Sequence, residues 1–384
     1  MLIESLLLAG YRNYKQLHCR FSPGVNLFMG ANAQGKTNLI ESIYYLSVGK
    51  AYRQARDEQL ILWGDCAFQI KGEIDSRKGK AQMEIRYRQG ESPPKALMLN
   101  GLRKQKWEEM SGALTSVLFS PESMAIIKGS PQERRNFLDY DISQVSLAYS
   151  ADLYKYRRVL AQRNALLKRI GPLPEPLSAK RETLSIWDGQ LITYGSRIIE
   201  KRLSFIEKMT PLVRLTHRRL TEGKENMEIQ YLLHAKSPLE LKKNSDGKID
   251  ISEFLKEARD HALEEDLRLK STQWGPHRDD VKVLLNGMEM RQYGSQGQQR
   301  TGILALKLAE LEIFRGESGE YPILLLDDVL SELDENRQQQ LLTIVNEKAV
   351  QCVITATDEK IPGMREIKKL KKFDVHKGEV RERH

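Results

Sequence analysis

Two short motifs near opposite ends of the chain constrain its fold more than anything between them. Gly30-Ala31-Asn32-Ala33-Gln34-Gly35-Lys36-Thr37 fits GxxxxGK[ST], the pattern of a phosphate-cradling loop. Its glycines let the backbone turn so that N–H groups face phosphate oxygens. Lys36 reaches the terminal phosphates and Thr37 supplies a magnesium ligand. The apolar run Val25–Met29 before the loop reads as a strand, and Leu39, Ile43 and Leu46 after it read as one stripe of a helix. Far downstream, Ile323-Leu324-Leu325-Leu326-Asp327-Asp328 is an apolar strand that delivers two carboxylates at its end. That arrangement suits nucleotide hydrolysis, with Asp327 on the magnesium shell and Asp328 orienting water. Lys36 and Asp328 are the candidate catalytic residues. Both motifs must stand on one sheet, yet 290 residues separate Thr37 from Asp327. The chain therefore has to leave a nucleotide-binding lobe, build a second body and return.

The intervening sequence has a different texture. Tyr149, Leu153, Tyr156 and Leu160, and again Leu184, Trp187, Leu191, Tyr194 and Ile198, recur at spacings of three and four. These are apolar stripes on two helices. Three prolines in 171–177 break the helix between them, so an antiparallel helical hairpin is expected. The first helix carries Lys155, Arg157, Arg158, Arg163, Lys168 and Arg169 against Asp152 alone, which fits either a solvated face or a face for nucleic acid. Strands are expected at 2–8, 17–21, 67–74, 81–88, 96–99 and 115–119. Asn100-Gly101 and Asn286-Gly287 mark hairpins, the second between strands at 281–285 and 288–293. Helices are expected at 300–314 and 335–346, a strand at 352–355 and a polar loop at 238–251.

Composition excludes several classes. Apolar residues make up 40% and charged residues 29%, and no run approaches the ~18 apolar residues of a membrane span. The N-terminal MLIESLLLAGYRNYK is a strand pattern carrying Glu4, without the basic start of a signal peptide. Cys19, Cys66 and Cys352 are far apart and odd in number, which fits a reducing cytosol better than a disulfide framework or a zinc site. The net charge of +9 is compatible with a phosphate-rich partner.

Further motifs sharpen the plan. Ser295-Gln296-Gly297-Gln298-Gln299-Arg300 precedes an apolar helix and ends shortly before the carboxylate strand. An ABC-type ATPase head needs such a signature there: Ser295 and Gln298 to donate hydrogen bonds, Gly297 to let backbone approach phosphate. A polar loop capping a helix is the plainer reading. Such a signature lies far from the P-loop of its own chain, so it would complete a site only in trans. Ser331-Glu332-Leu333-Asp334 matches a D-loop ending at Asp334, and Thr355 stands where such heads carry a switch residue. For Arg12 and Asn13 a phosphate contact and a surface loop are both open. For His277 and Arg278 a turn is favoured over an interface role.

The chain resembles the RecF family of recombination mediators, in the SMC-like branch of ABC-type ATPases. The resemblance rests on Tyr11-Arg12-Asn13-Tyr14, the P-loop followed by Asn38, Phe119-Ser120-Pro121-Glu122, and Gly129-Ser130-Pro131 with Arg134-Arg135 and Phe137-Leu138-Asp139. It continues through Gly275-Pro276-His277-Arg278-Asp279-Asp280 and the 294–300 and 326–334 stretches. It implies an α/β fold: an ABC-type head with a P-loop lobe on a mixed sheet (1–120 with 300–384) and an inserted, mainly helical second lobe (121–299). It implies a weak DNA-dependent ATPase using ATP and Mg²⁺, which forms a homodimer on ATP. It further implies binding to single-stranded, gapped or double-stranded DNA without sequence specificity. Partnership with RecR and RecO in recombinase loading, replication recovery and SOS induction, in the cytoplasm at the nucleoid, follows from the same resemblance. Arg157, Arg158, Arg163 and Lys168 are the candidate DNA contacts. The alternative is an SMC-like chromosome ATPase or a transporter-type subunit, the latter normally carrying a switch histidine. The stretch after Asp334 leaves no room for a fused nuclease domain. The tail beyond Lys360, net basic, matches no motif.

Overall fold

The computed structural model describes all residues except 54, 235–246, 248, 358–360 and 384. The loop expected at 238–251 falls largely outside the described residues.

The chain opens with an antiparallel pair, β1 (Leu2–Tyr11) and β2 (Tyr14–Arg20), then β3 (Val25–Met29) and α1 (Lys36–Val48). β4 (Ala67–Ser76), β5 (Gly79–Arg88), β6 (Lys95–Leu99) and β7 (Leu102–Lys104) extend the first pair into a six-stranded sheet ordered β2-β1-β4-β5-β6-β7. After β8 (Ser116–Phe119) the chain turns helical, with α2 (Ala125–Lys128), α3 (Pro131–Val145), α4 (Leu147–Ile170) and α5 (Leu177–Leu220). β9 (Met227–Leu232), α6 (Ile251–Leu269), β10 (Asp280–Leu285), β11 (Met288–Glu289), α7 (Met290–Tyr293) and α8 (Gln296–Ser318) follow. The chain then returns through β12 (Ile323–Asp327), α9 (Glu335–Glu347), β13 (Cys352–Ala356), β14 (Leu370–His376) and β15 (Glu379–Arg383). A second six-stranded sheet runs β15-β14-β3-β13-β12-β8, parallel except at the β14–β15 hairpin.

The continuous apolar runs of β3, β12 and β13 follow from burial on both faces. Ile323 and Leu325 of β12, with Val353 of β13, pack toward α1, which lies between the two six-stranded sheets beside Ile3, Leu6, Leu8, Phe68 and Ile70. Leu324 and Leu326 point the other way, into a core shared with α8, α5 and α4. α1 is therefore buried almost all round, and Leu39, Ile43 and Leu46 are one side of a wholly enclosed helix. Its Glu41 is fully buried, and Arg12 neutralises it through two hydrogen bonds of 2.9 and 3.1 Å.

α4 and α5 form the expected hairpin, but α5 runs for 44 residues and continues through Pro211. The strand expected at 288–293 is corrected: two residues pair with β10 and the next four form a helical turn. Met290 is drawn fully into the core there, and Gly302 of α8 makes room for it, since a Cβ at 302 would lie 2.8 Å from the Met290 sulfur. The tail also departs from expectation: β14 completes the parallel sheet against β3, with Phe28 and Phe373 stacked at 4.5 Å.

Candidate nucleotide site

The loop between β3 and α1 is held from behind. Tyr14 Oη donates to the Gly35 carbonyl at 3.0 Å, and both Asn13 Nδ2 and the Gly378 N–H donate to the Gln34 carbonyl at 3.0 Å. The Lys377 N–H meets Gln34 Oε1 at 2.8 Å. Gly35 sits at φ +116°, and a Cβ there would lie 2.5 Å from Asn13 Nδ2, so only glycine fits the turn. Lys36 leads back over the loop and donates to the Gly30 and Ala31 carbonyls at 2.5 and 2.9 Å. Burial lowers its pKa, against the pull of Asp328 and Asp327. A loop closed by glycine at the start of a helix, with a lysine curled over it, fits a triphosphate.

The sheet brings the two distant motifs into contact. Thr37 Oγ1 donates to Asp327 Oδ1 at 3.0 Å across 290 residues of sequence. Asp327 is buried and accepts two further bonds, from Thr355 Oγ1 at 2.8 Å and from Tyr52 Oη at 2.7 Å. A hydroxyl and a carboxylate with hard oxygens suit Mg²⁺, which takes few protein ligands and completes its shell with phosphate and water. No group of three or more His, Cys, Asp or Glu able to hold a metal alone occurs among the described residues. Asp328 follows in the left-handed region at φ +54°, an uncommon conformation for a non-glycine residue and one that aspartate tolerates. Burial raises its pKa and Lys36 opposes that rise. Its N–H donates to Thr355 Oγ1 at 3.0 Å. Thr355 is thus a buried brace for both acids.

Ser295 caps α8. Its Oγ accepts from the Gln298 N–H at 3.2 Å, and the Ser295 N–H donates to Gln298 Oε1 at 2.8 Å, a reciprocal box. Gln298 Nε2 also reaches Glu225 at 2.7 Å. Ser295 and Gly297 are exposed, and a Cβ at 297 would meet nothing within 4 Å. Among the described residues no hydrogen bond joins 295–298 to the 30–37 loop. Asp334 caps α9 by accepting from the Arg337 N–H at 3.0 Å.

The basic candidates divide. Arg158 and Lys168 are exposed. Arg157 is half exposed and pairs with Asp139 at 2.9 Å. Arg163 is corrected: it is fully buried, bound to Asp188 and Asp266 at 2.6 Å each and to Thr272 at 2.8 Å, so it meets no solvent-borne phosphate. The four candidates share one helix and looked alike in sequence because charge count does not reveal which face is inward.

The 275–280 stretch forms the expected turn, with the Arg278 N–H on the Gly275 carbonyl at 2.9 Å, and its side chains build a buried polar junction. His277 Nδ1 lies 2.7 Å from the Tyr156 hydroxyl and Nε2 lies 3.0 Å from the Thr272 carbonyl. Burial lowers the His277 pKa to about 3. Asp279 accepts from Tyr231 Oη at 2.6 Å and from the His234 N–H at 2.8 Å, and burial pushes its carboxyl up to about 6. Arg134 holds Asp280 at 2.7 and 2.8 Å. Arg12 is committed to Glu41, and Asn13 holds the P-loop backbone. Sequence reasoning missed Tyr52 and the Lys377-Gly378 turn. Tyr52 has no motif around it. The second had a signal, a Lys-Gly pair between apolar-alternating segments.

Comparison with known proteins agrees with this geometry. The family model of the RecF/RecN/SMC N-terminal domain matches residues 2–379. DNA replication and repair protein RecF of Natranaerobius thermophilus is 40% identical over 99% of this chain and 98% of its own. The protein of the same name from Alkaliphilus oremlandii is 41% identical over 99% and 100%. A solved structure of the recombination mediator RecF with ATP, in the RecFOR pathway, superposes with TM-score 0.88 at 36% identity, covering 100% of this chain and 97% of that one. An Smc head domain from Pyrococcus furiosus shares the fold alone, with TM-score 0.55 and 16% identity over 99% and 95% of the two chains. Built on an ABC-type ATPase head and matched along its whole length, the chain belongs to the RecF family.

Proposed function

We propose that the protein is an ATP-dependent switch of recombinational DNA repair, which closes into a head-to-head dimer on DNA when ATP binds and reopens on slow hydrolysis. The contact that carries this reading is Thr37 to Asp327, which joins a phosphate-binding loop to an acidic strand end where the C-terminal ends of β3 and β12 lie in one sheet. The 30–37 loop would hold the triphosphate through its backbone N–H groups and Lys36. Thr37 and Asp327 would hold Mg²⁺, which when bound neutralises phosphate charge. Asp328, with its pKa raised by burial and its carboxyl opposite Lys36, would orient the attacking water and take its proton. A shorter reach than glutamate fits a slow step.

Ser295, Gly297 and Gln298 have no partner in the P-loop of their own chain. At the N-terminus of a 23-residue helix, with Ser295 and Gly297 exposed and Gln298 half-buried, they would cover the nucleotide held by a second protomer. ATP then favours the closed dimer because only that state makes the extra contacts. Asp334 would line the same seam. DNA would be bound through phosphates, without sequence readout, with Arg158 and Lys168 among the contacts. RecO and RecR, and a recombinase loaded at a gap or junction, are the partners this role calls for.

Light scattering with and without ATP·Mg²⁺ tests the switch. Wild type is expected to double in mass with ATP. Lys36→Met is expected to lose ATP binding. Ser295→Arg is expected to keep it and stay monomeric. A wild type that stays monomeric with saturating ATP overturns the reading.

A further inference from the structure

Away from the P-loop, a cavity of about 350 Å³ opens between α1 with the 52–53 segment on one side and α3 with α8 on the other. Tyr44, Tyr52, Phe137 and Tyr140 give it aromatic walls, and Asp141 and Lys307 lie on its floor. The floor is electrostatically incomplete. Asp141 is 6% exposed and Glu310, behind it, is 0% exposed. Among the described residues no donor reaches Asp141 Oδ2. Lys307 Nζ makes its ion pair with Glu310, 2.9 and 3.1 Å from its two carboxylate oxygens. Two carboxyls therefore face one ammonium in a dry place. At the rim Arg53 pairs with Glu122 at 3.8 Å and Glu133 adds a further carboxylate, which leaves the negative excess standing. Burial and the neighbouring Glu310 push the Asp141 carboxyl well up, so the pair is satisfied by a proton where a second cation would serve.

We propose that this cavity is a binding site for a small planar organic cation, its body against the aromatic walls and its head on Asp141. The volume is in the range of small-ligand sites, which are typically about 300–1,000 Å³. A flat amidinium-like head matches a carboxylate with two parallel hydrogen bonds, and tyrosine and phenylalanine faces attract cations. Entry of the cation displaces the shared proton, so binding releases one proton to solvent. The site would also be coupled to the nucleotide site. Tyr52 lines the cavity and its hydroxyl holds Asp327 at 2.7 Å. A ligand that fixes Tyr52 therefore restrains the carboxylate assigned to Mg²⁺. This inference is independent of the dimer switch and of DNA binding.

p-Aminobenzamidine is a suitable probe, titrated calorimetrically into the full-length protein near pH 7 in two buffers of different ionisation enthalpy. Saturable binding is expected, with heats that differ between buffers by one proton released. Asp141→Asn is expected to weaken binding at least tenfold. Ala125→Phe, which fills the cavity and leaves the floor intact, is expected to do the same. Far-UV circular dichroism and retained ATP binding report folding, and if Asp141→Asn does not fold, Ala125→Phe decides. The proposal is overturned by non-saturable binding, by equal heats in both buffers, by undiminished affinity in either folded variant, or by displacement of the probe with ATP·Mg²⁺.

Discussion

Arg163 shows what single residues reveal only in three dimensions. In sequence it is one of six basic side chains along a helix, and in the fold it is the centre of a buried triad with Asp188 and Asp266, stacked at 5.3 Å on Trp274. Removing one partner of a buried pair strands the others, at a cost of about 3–5 kcal/mol. Arg163→Ala is thus expected to lower the unfolding free energy from urea titration by that much while leaving the salt dependence of DNA binding unchanged. The double change Arg158→Glu with Lys168→Glu is expected to do the reverse, flattening the log–log slope by roughly two. Unchanged slopes in the double variant would remove these residues from the interface. His277 gives a second residue-scale test. With a pKa of about 3 in the fold and ~6.5 in the unfolded chain, it stays neutral in the native state while the unfolded state takes up a proton. Its contribution is constant above pH 6.5 and falls by about 1.4 kcal/mol per pH unit on acidification toward 3. Asp279, with its carboxyl at about 6, contributes the opposite slope between about pH 6 and 4, because there the folded state binds the proton. The stability difference between wild type and His277→Gln, from urea unfolding at pH 7, 5.5 and 4.5, should therefore shrink steadily as pH falls. A constant difference would mean that His277 protonates within the fold.

At the scale of elements, legibility tracked burial. β3, β12 and β13 were readable because a strand buried on both faces is a short apolar run, and α1 because its glycine-lysine entry is chemically specific. β14 was not: in LKKFDVH only Phe373 and Val375 are buried, so a strand between β3 and β15 looks like a charged tail. Yet the β14–β15 turn is what presses on the P-loop. Gly378 lies at φ +79°, and a Cβ there would stand 2.3 Å from the Asn13 carbonyl oxygen. Gly378→Ala should therefore strain the hairpin by about 1–2 kcal/mol. If that strain is relieved by letting Gln34 go, ATP affinity drops by up to roughly tenfold. Competition against a fluorescent ATP analogue, read beside a thermal melt, separates the outcomes. A lowered melting temperature with unchanged affinity would make the hairpin a purely structural edge.

For the whole molecule, the P-loop and the acidic strand declare their meeting in sequence, and the fold puts Thr37 and Asp327 3.0 Å apart. The signature is different, because its proposed partner is on another molecule and no intramolecular contact announces it. Ser295 and Gln298 are engaged with each other as a helix cap, so the exposure of Ser295 and Gly297, not a bond, points outward. Mixing two defective chains resolves this. Lys36→Met lacks a working P-loop and keeps its signature. Ser295→Arg keeps its P-loop, loses the signature, and forfeits only a helix cap of ~1 kcal/mol. Alone, neither chain can build a complete composite site. In a mixed pair, the intact loop of one faces the intact signature of the other, and one of the two sites is whole. Equimolar mixing with ATP·Mg²⁺ should therefore generate a dimer by light scattering, and ATP hydrolysis, that neither variant shows by itself. If each site were completed within one chain, the mixture would give only the sum of its parts, which is close to nothing. That silence, with both variants folded, would return Ser295, Gly297 and Gln298 to the role of a helix cap.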